Sequence, residues 1–102
     1  MFINKEVQNY ICILKINREE ALNAMNPTVL NELYQNLESA IEDKDIGIII
    51  LIGSGEKAFI AGADIKLMEK LDKNSAMKFG KLGQRVANII ESSPKPVIAA
   101  VN

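Results

Sequence analysis

The run Gly53-Ser54-Gly55-Glu56-Lys57-Ala58 directly follows Ile48-Ile49-Ile50-Leu51-Ile52. It fits the loose pattern G-x-G-x-x-G/A, in which a strand gives way to a loop that cradles a pyrophosphate. The context does not support that chemistry. The third position should open a long helix, but Phe59-Ile60-Ala61-Gly62 keeps loop character. A second strand ending in an acid about 20 residues further on is also missing. A Walker loop is excluded because no Gly-Lys-Ser/Thr occurs. The glycines alone read as a strand-to-loop turn. The next segment, Ala61-Gly62-Ala63-Asp64-Ile65, holds more promise. Small side chains let a ligand approach the main chain. Asp64 can cap a helix whose first amides lack partners, and such N–H groups hold anions or a developing oxyanion. A tight glycine turn with a capped helix accounts for the same residues, so the residues alone leave both open.

The other candidates offer less. Glu19-Glu20 and Glu42-Asp43-Asp45 read as solvated loop charges, and Asp64, as an ionised cap, is a poor proton donor. Cys12 lies in an apolar run and reads as a buried, inert thiol. The sequence has no histidine and a single cysteine. That removes Ser-His-Asp and Cys-His catalysis, histidine metal sites and any intrachain disulfide.

Several elements must position these residues. The first part, 2–16, reads as two strands, followed by a loop over 17–26 with the polar centre Asn17-Arg18-Glu19-Glu20. Asn26-Pro27 signals a helix start, as cap and first helical residue. Val29, Leu30, Leu33, Leu37, Ala40 and Ile41 recur on one face, and the helix should end near Lys44. The run 48–52 is apolar on both faces, as in a parallel strand covered on two sides. Asp64 is expected to cap a short helix over 65–71. Asn74 or Ser75 should cap a second one carrying Met77, Phe79, Leu82, Val86, Ile89 and Ile90. Gly80 and Gly83 weaken that helix, which suggests a close neighbour there. Pro94-Lys95-Pro96 stops it, and 97–101 reads as another strand. Strand, helical crossover and strand make a right-handed βαβ unit, so the fold class is α/β.

The chain has 102 residues, and 48% of them are apolar. Twelve basic residues against thirteen acidic ones leave a net charge of −1, which speaks against a nucleic-acid or anionic-membrane partner. No signal peptide is visible, and no apolar run approaches the ~18 residues of a membrane span. A reducing, cytoplasmic setting is the expectation.

Four blocks together carry a resemblance: Asn17-Arg18 with Ala21-Leu22-Asn23-Ala24-Met25; Ile48-Ile49-Ile50-Leu51-Ile52-Gly53; Lys57-Ala58-Phe59-Ile60-Ala61-Gly62-Ala63-Asp64-Ile65; and Lys95-Pro96-Val97-Ile98-Ala99-Ala100-Val101-Asn102. In this order they resemble the enoyl-CoA hydratase/isomerase (crotonase) superfamily over the whole chain. Within it the wording is most similar to bacterial short-chain enoyl-CoA hydratases, or 3-hydroxybutyryl-CoA dehydratases, of fatty acid metabolism. The resemblance implies a crotonase-like spiral of ββα units, with residues 1–102 as its N-terminal part. It implies reversible addition of water to a short 2-enoyl-CoA through an enolate. Ala63 would supply one of two backbone oxyanion N–H groups. Ala61, Gly62, Asp64 and Ile65 would hold the adenine end of CoA, and Ala21 and Leu22 would line the pantetheine path. Lys57 is a candidate for the CoA phosphates. Glu20 stands where the family often has a basic residue, with Arg18 as a possible substitute. No metal or redox cofactor is implied, CoA being part of the substrate. The family's second oxyanion loop, its two catalytic glutamates and its trimerisation region would all lie beyond Asn102, so this length alone should be inactive. The intact protein would be a homo-oligomer, a trimer or dimer of trimers. Another superfamily activity (isomerase, thioesterase or dehalogenase) and a non-catalytic CoA- or nucleotide-binding module are the alternatives.

Overall fold

The computed structural model describes residues 2–60, 62 and 68–101. Two strands, β1 (Ile3–Gln8) and β2 (Ile11–Ile16), open the chain as an antiparallel hairpin. Asn9 and Tyr10 turn it with φ of 51° and 73°. The loop after β2 contains one 3-10 turn, Glu19–Ala21. Helix α1 (Pro27–Glu42) follows, then β3 (Ile48–Gly53), α2 (Lys73–Ser92) and β4 (Val97–Ala100). The sheet order is β1-β2-β3-β4, with β2, β3 and β4 parallel. The hairpin therefore feeds two consecutive βαβ crossovers, where sequence patterning pointed to one.

The core forms where the apolar periodicities meet. Val29, Leu33, Leu37 and Ala40 of α1 face Cys12, Leu14 and Ile16 of β2 and Ile49 and Leu51 of β3, all within one buried cluster. Phe79 and Val86 of α2 join it. One face of β3 is buried, whereas Ile48, Ile50 and Ile52 on the other are only half-buried. The expected covering on two sides is thus complete on one side among the described residues.

Local chemistry sets most boundaries. Asn26 Oδ1 accepts from Val29 N–H at 2.8 Å, and Pro27 occupies the first helical position. Helix α1 ends at Glu42, slightly earlier than expected, because Asp43 turns extended (φ −78°, ψ 122°). Lys95 Nζ donates to the carbonyls of Ala40 and Asp43 at 2.9 and 2.6 Å, closing that end from across the fold. The cap of α2 is Asp72, not Asn74 or Ser75: its carboxylate accepts from Ser75 N–H at 2.7 Å. A carboxylate there satisfies an orphan amide and complements the helix dipole, so it outcompetes an amide or hydroxyl one turn later. Among the described residues Gly80 has no neighbour within 4 Å of where a Cβ would lie, whereas at Gly83 such an atom would be in ordinary contact with Leu30 Cδ1 at 3.9 Å. The close neighbour expected at these glycines is thus Leu30 at Gly83, and none of the described residues at Gly80. Strand β4 stops at Ala100, one residue short of the expected 101.

Candidate functional site

The register pairs Ile16 with Gly53 and Ile52 with Ala100. The three parallel strands therefore end together, and the segments after β2 and β3 leave the sheet at the same edge. Ligands of open α/β sheets bind outside the carboxyl ends of the strands.

Two loops meet there. In the first, Leu22 and Asn23 adopt left-handed backbone, with φ of 53° and 60°. Leu22 N–H closes the 3-10 turn on Glu19 O at 2.9 Å, and Asn23 N–H returns to Arg18 O at 2.8 Å. The tight reversal turns Asn23 inward, to 1% exposure, and leaves Leu22 46% exposed. The second loop starts at Gly53, where an added Cβ would lie 2.5 Å from Phe59 O and 2.8 Å from Ala58 O. Only a glycine allows the loop to fold back so closely on the strand end.

Asn23 joins the two loops. Its Oδ1 accepts from Arg18 N–H at 2.9 Å, and its Nδ2 donates to Ser54 O and Ala58 O, both at 3.0 Å. Ser54 N–H is held by Ile16 O at 2.8 Å, and Ser54 Oγ donates to Glu19 Oε1 at 2.8 Å. Further along, Met25 N–H donates to Gly62 O at 2.7 Å. The blocks 21–25 and 57–62, separate in sequence, are thus bonded to each other.

Between the loops lies a cleft of ≈ 340 Å³, walled by Glu19, Leu22 and Asn23 on one side and by 54–58 on the other. Of the residues singled out in the sequence, Leu22 and Lys57 line it. Ala21 ends the 3-10 turn, and Gly62, exposed at φ 101°, is tied to Met25. Ala61, Ala63, Asp64 and Ile65, with the expected 65–71 helix, lie outside the described residues. Arg18 is committed elsewhere: Nη1 donates to Ala24 O at 2.9 Å, and the guanidinium lies 5.8 Å from the Phe2 ring centroid. Glu19 is exposed but does not stand alone as a solvated charge, since it bridges to Ser54. Asn23 is the residue sequence reasoning passed over; its partners are 31 and 35 residues away. Its one local signal was an Asn in a loop, a residue type that tolerates left-handed backbone.

Cys12 is fully buried, and burial pushes its thiol pKa up, with smaller opposing effects from Lys5 and Lys95 and a reinforcing one from Asp43. A protonated thiol in the core is no nucleophile. No group of three or more His, Cys, Asp or Glu side chains that could hold a metal occurs among the described residues. Among the same residues no helix is long and apolar enough to cross a membrane.

The fold is that of the crotonase-type enzymes. An enoyl-CoA hydratase from Bacillus anthracis superposes over 100% of this chain and 40% of its own, with a TM-score of 0.95 at 30% identity. One from Mycobacterium marinum covers 99% of this chain at a TM-score of 0.85 and 33% identity. Residues 6–102 match the enoyl-CoA hydratase/isomerase family, and the chain belongs to it. It is 43% identical over 97 residues to a crotonyl-CoA hydratase of Syntrophomonas wolfei, and 41% identical over 97 residues to a short-chain-enoyl-CoA hydratase of Clostridium acetobutylicum. In both cases the match takes in 95% of this chain but 37% of the relative.

Proposed function

We propose that this chain is the N-terminal, acyl-CoA-binding part of a short-chain enoyl-CoA hydratase. The observation that carries the reading is the bonding of block 21–25 to block 57–62 through Asn23 and Met25. They belong to the two sequence blocks, 21–25 and 57–65, to which the family resemblance assigns the pantetheine path and, at Ala63, the first oxyanion donor. The names of the relatives, crotonyl-CoA hydratase and short-chain-enoyl-CoA hydratase, supply the reaction and the chain length.

The chemistry fits a site without histidine. Water adds to C3 of the 2-enoyl thioester while the π electrons move onto the thioester oxygen, giving an enolate that is then protonated at C2. A backbone N–H, assigned to Ala63, stabilises that oxygen; one such donor is typically worth about 3 kcal/mol in the transition state. Small residues at 61–63 let the oxygen reach the main chain. Gly62, with Ala61, Asp64 and Ile65, receives the adenine end of CoA, and Ala21 and Leu22 the pantetheine arm. Lys57 is the one cation on the described cleft wall, and its exposure suits a phosphate contact. CoA arrives as part of the substrate and no other cofactor is required. A homo-oligomeric, cytoplasmic enzyme completes the reading; a lone buried cysteine is at home in a reducing compartment.

The test joins residues 1–102 to the remaining part of the Syntrophomonas wolfei relative. The hybrid is expected to hydrate crotonyl-CoA, followed by loss of the conjugated enoyl absorbance, and residues 1–102 alone are not. In calorimetric titration the chain alone is expected to take up crotonyl-CoA but not NAD. A folded hybrid inert towards crotonyl-CoA would overturn the hydratase reading. Binding of NAD without response to acyl-CoA would restore the dinucleotide reading of Gly53 to Ala58.

A further inference from the structure

Asn23 is the only polar side chain fully buried among the described residues. Its carboxamide uses one acceptor and two donors on three backbone groups, from Arg18, Ser54 and Ala58. Ser54 and Ala58 are the first and last residues of the loop wall of the cleft. The other wall, Glu19 to Asn23, is the turn that the Arg18 N–H bond secures. One side chain therefore ties down both ends of one wall and the root of the other.

We propose that Asn23 is a positioning residue that sets the width of the cleft, and through it the fit of the acyl-CoA. This rests on the acyl-CoA reading of the cleft. The two side chains nearest to asparagine in chemistry do not meet the requirement of one acceptor and two donors at this reach. Aspartate lacks the two donors and would set a carboxylate against two carbonyl oxygens. Glutamine adds a methylene, which displaces the carboxamide from the three backbone groups that now hold it at 2.9–3.0 Å. The left-handed backbone at φ 60° also favours asparagine over most residues. The exposed Glu19–Ser54 bond spans the same walls but is open to water, so it cannot replace the buried clamp.

The experiment compares Asn23→Ala, Asn23→Asp and Ile49→Val with the wild-type chain. Ile49→Val loosens the core without touching the cleft. Crotonyl-CoA affinity is read by calorimetry, stability by urea unfolding, and loop order by amide exchange at 54–58. Both Asn23 variants are expected to bind about tenfold more weakly or worse, with faster exchange at 54–58 and unchanged protection in α1. Ile49→Val is expected to lose stability and keep its affinity. Asn23→Asp is expected to regain affinity relative to wild type as pH falls. A buried carboxyl facing carbonyl oxygens holds its proton to a raised pH, and the protonated form restores one donor. Taking the ratio to wild type at each pH cancels what the variants share with it, the charged groups Glu19, Glu56 and Lys57 on the cleft walls and Arg18 beside them. Where Asn23→Ala does not fold, Asn23→Ser reads the same loss, since its hydroxyl cannot span both carbonyls. Wild-type affinity and loop exchange in the Asn23 variants would overturn the proposal, as would an affinity loss that tracks stability equally in Ile49→Val. If the wild-type chain binds no crotonyl-CoA, the acyl-CoA reading fails, and the exchange at 54–58 still decides whether Asn23 holds the cleft.

Discussion

Three residues show how differently single side chains are written into the chain. Cys12 is apolar in context and buried in fact, and burial raises its thiol pKa. A raised native pKa means the folded state holds its proton longer than the unfolded state. The resulting contribution to stability is fully present below the ordinary thiol pKa and is lost as pH rises through the higher native value. Cys12→Ala is therefore expected to flatten the alkaline limb of a urea-midpoint against pH curve. Native protein should also react with a disulfide reagent only at its rate of unfolding, and prompt labelling would contradict the buried placement. Asn26 was equally legible, because a cap bonds three residues away. Asn23 was not, because its value lies in Ser54 and Ala58, which no local pattern connects to it.

Among the elements, α1 was readable almost to its ends, since an N-cap, a first-position proline and one apolar stripe all agree. Helix α2 was readable in its body but not at its start. Asp72 takes the cap, and the bond to Ser75 N–H, with the Ser75 side chain and Asn74 N–H adding to it, holds the carboxyl below its usual pKa. Gly80 was misread for a physical reason: a helical glycine marks a close contact only if something lies beside it, and none of the described residues does. Gly80→Ala should then gain helix propensity without a clash, raising stability by up to about 1 kcal/mol. Urea unfolding checks it, and a loss of stability would reveal a neighbour at that position. Lys95 was legible only as part of the helix stop Pro94-Lys95-Pro96 and of the fourth family block. Its role as the closing donor at the end of α1 spans 55 and 52 residues to Ala40 and Asp43.

At the scale of the whole molecule, β4 is an edge of the described sheet, and Ile98 and Val101 are 50% and 74% exposed. An apolar strand edge pairs readily with another chain. The 102-residue chain is expected to self-associate on concentration, and Ile98→Lys to reduce that association in sedimentation, with the fold kept. Equal sedimentation of the two would count against β4 as the contact. The sequence by itself determined the α/β class, the bodies of α1 and α2, the parallel pair β3 and β4 and the family, because periodicity, capping and short motifs act over a few residues. Tertiary structure alone decided that Ile16 and Gly53 end level, that the 19–23 turn faces the 54–58 loop, and that Asn23 closes one upon the other. Such pairings depend on strand register and on hydrogen bonds between residues more than thirty positions apart, and no local propensity encodes them.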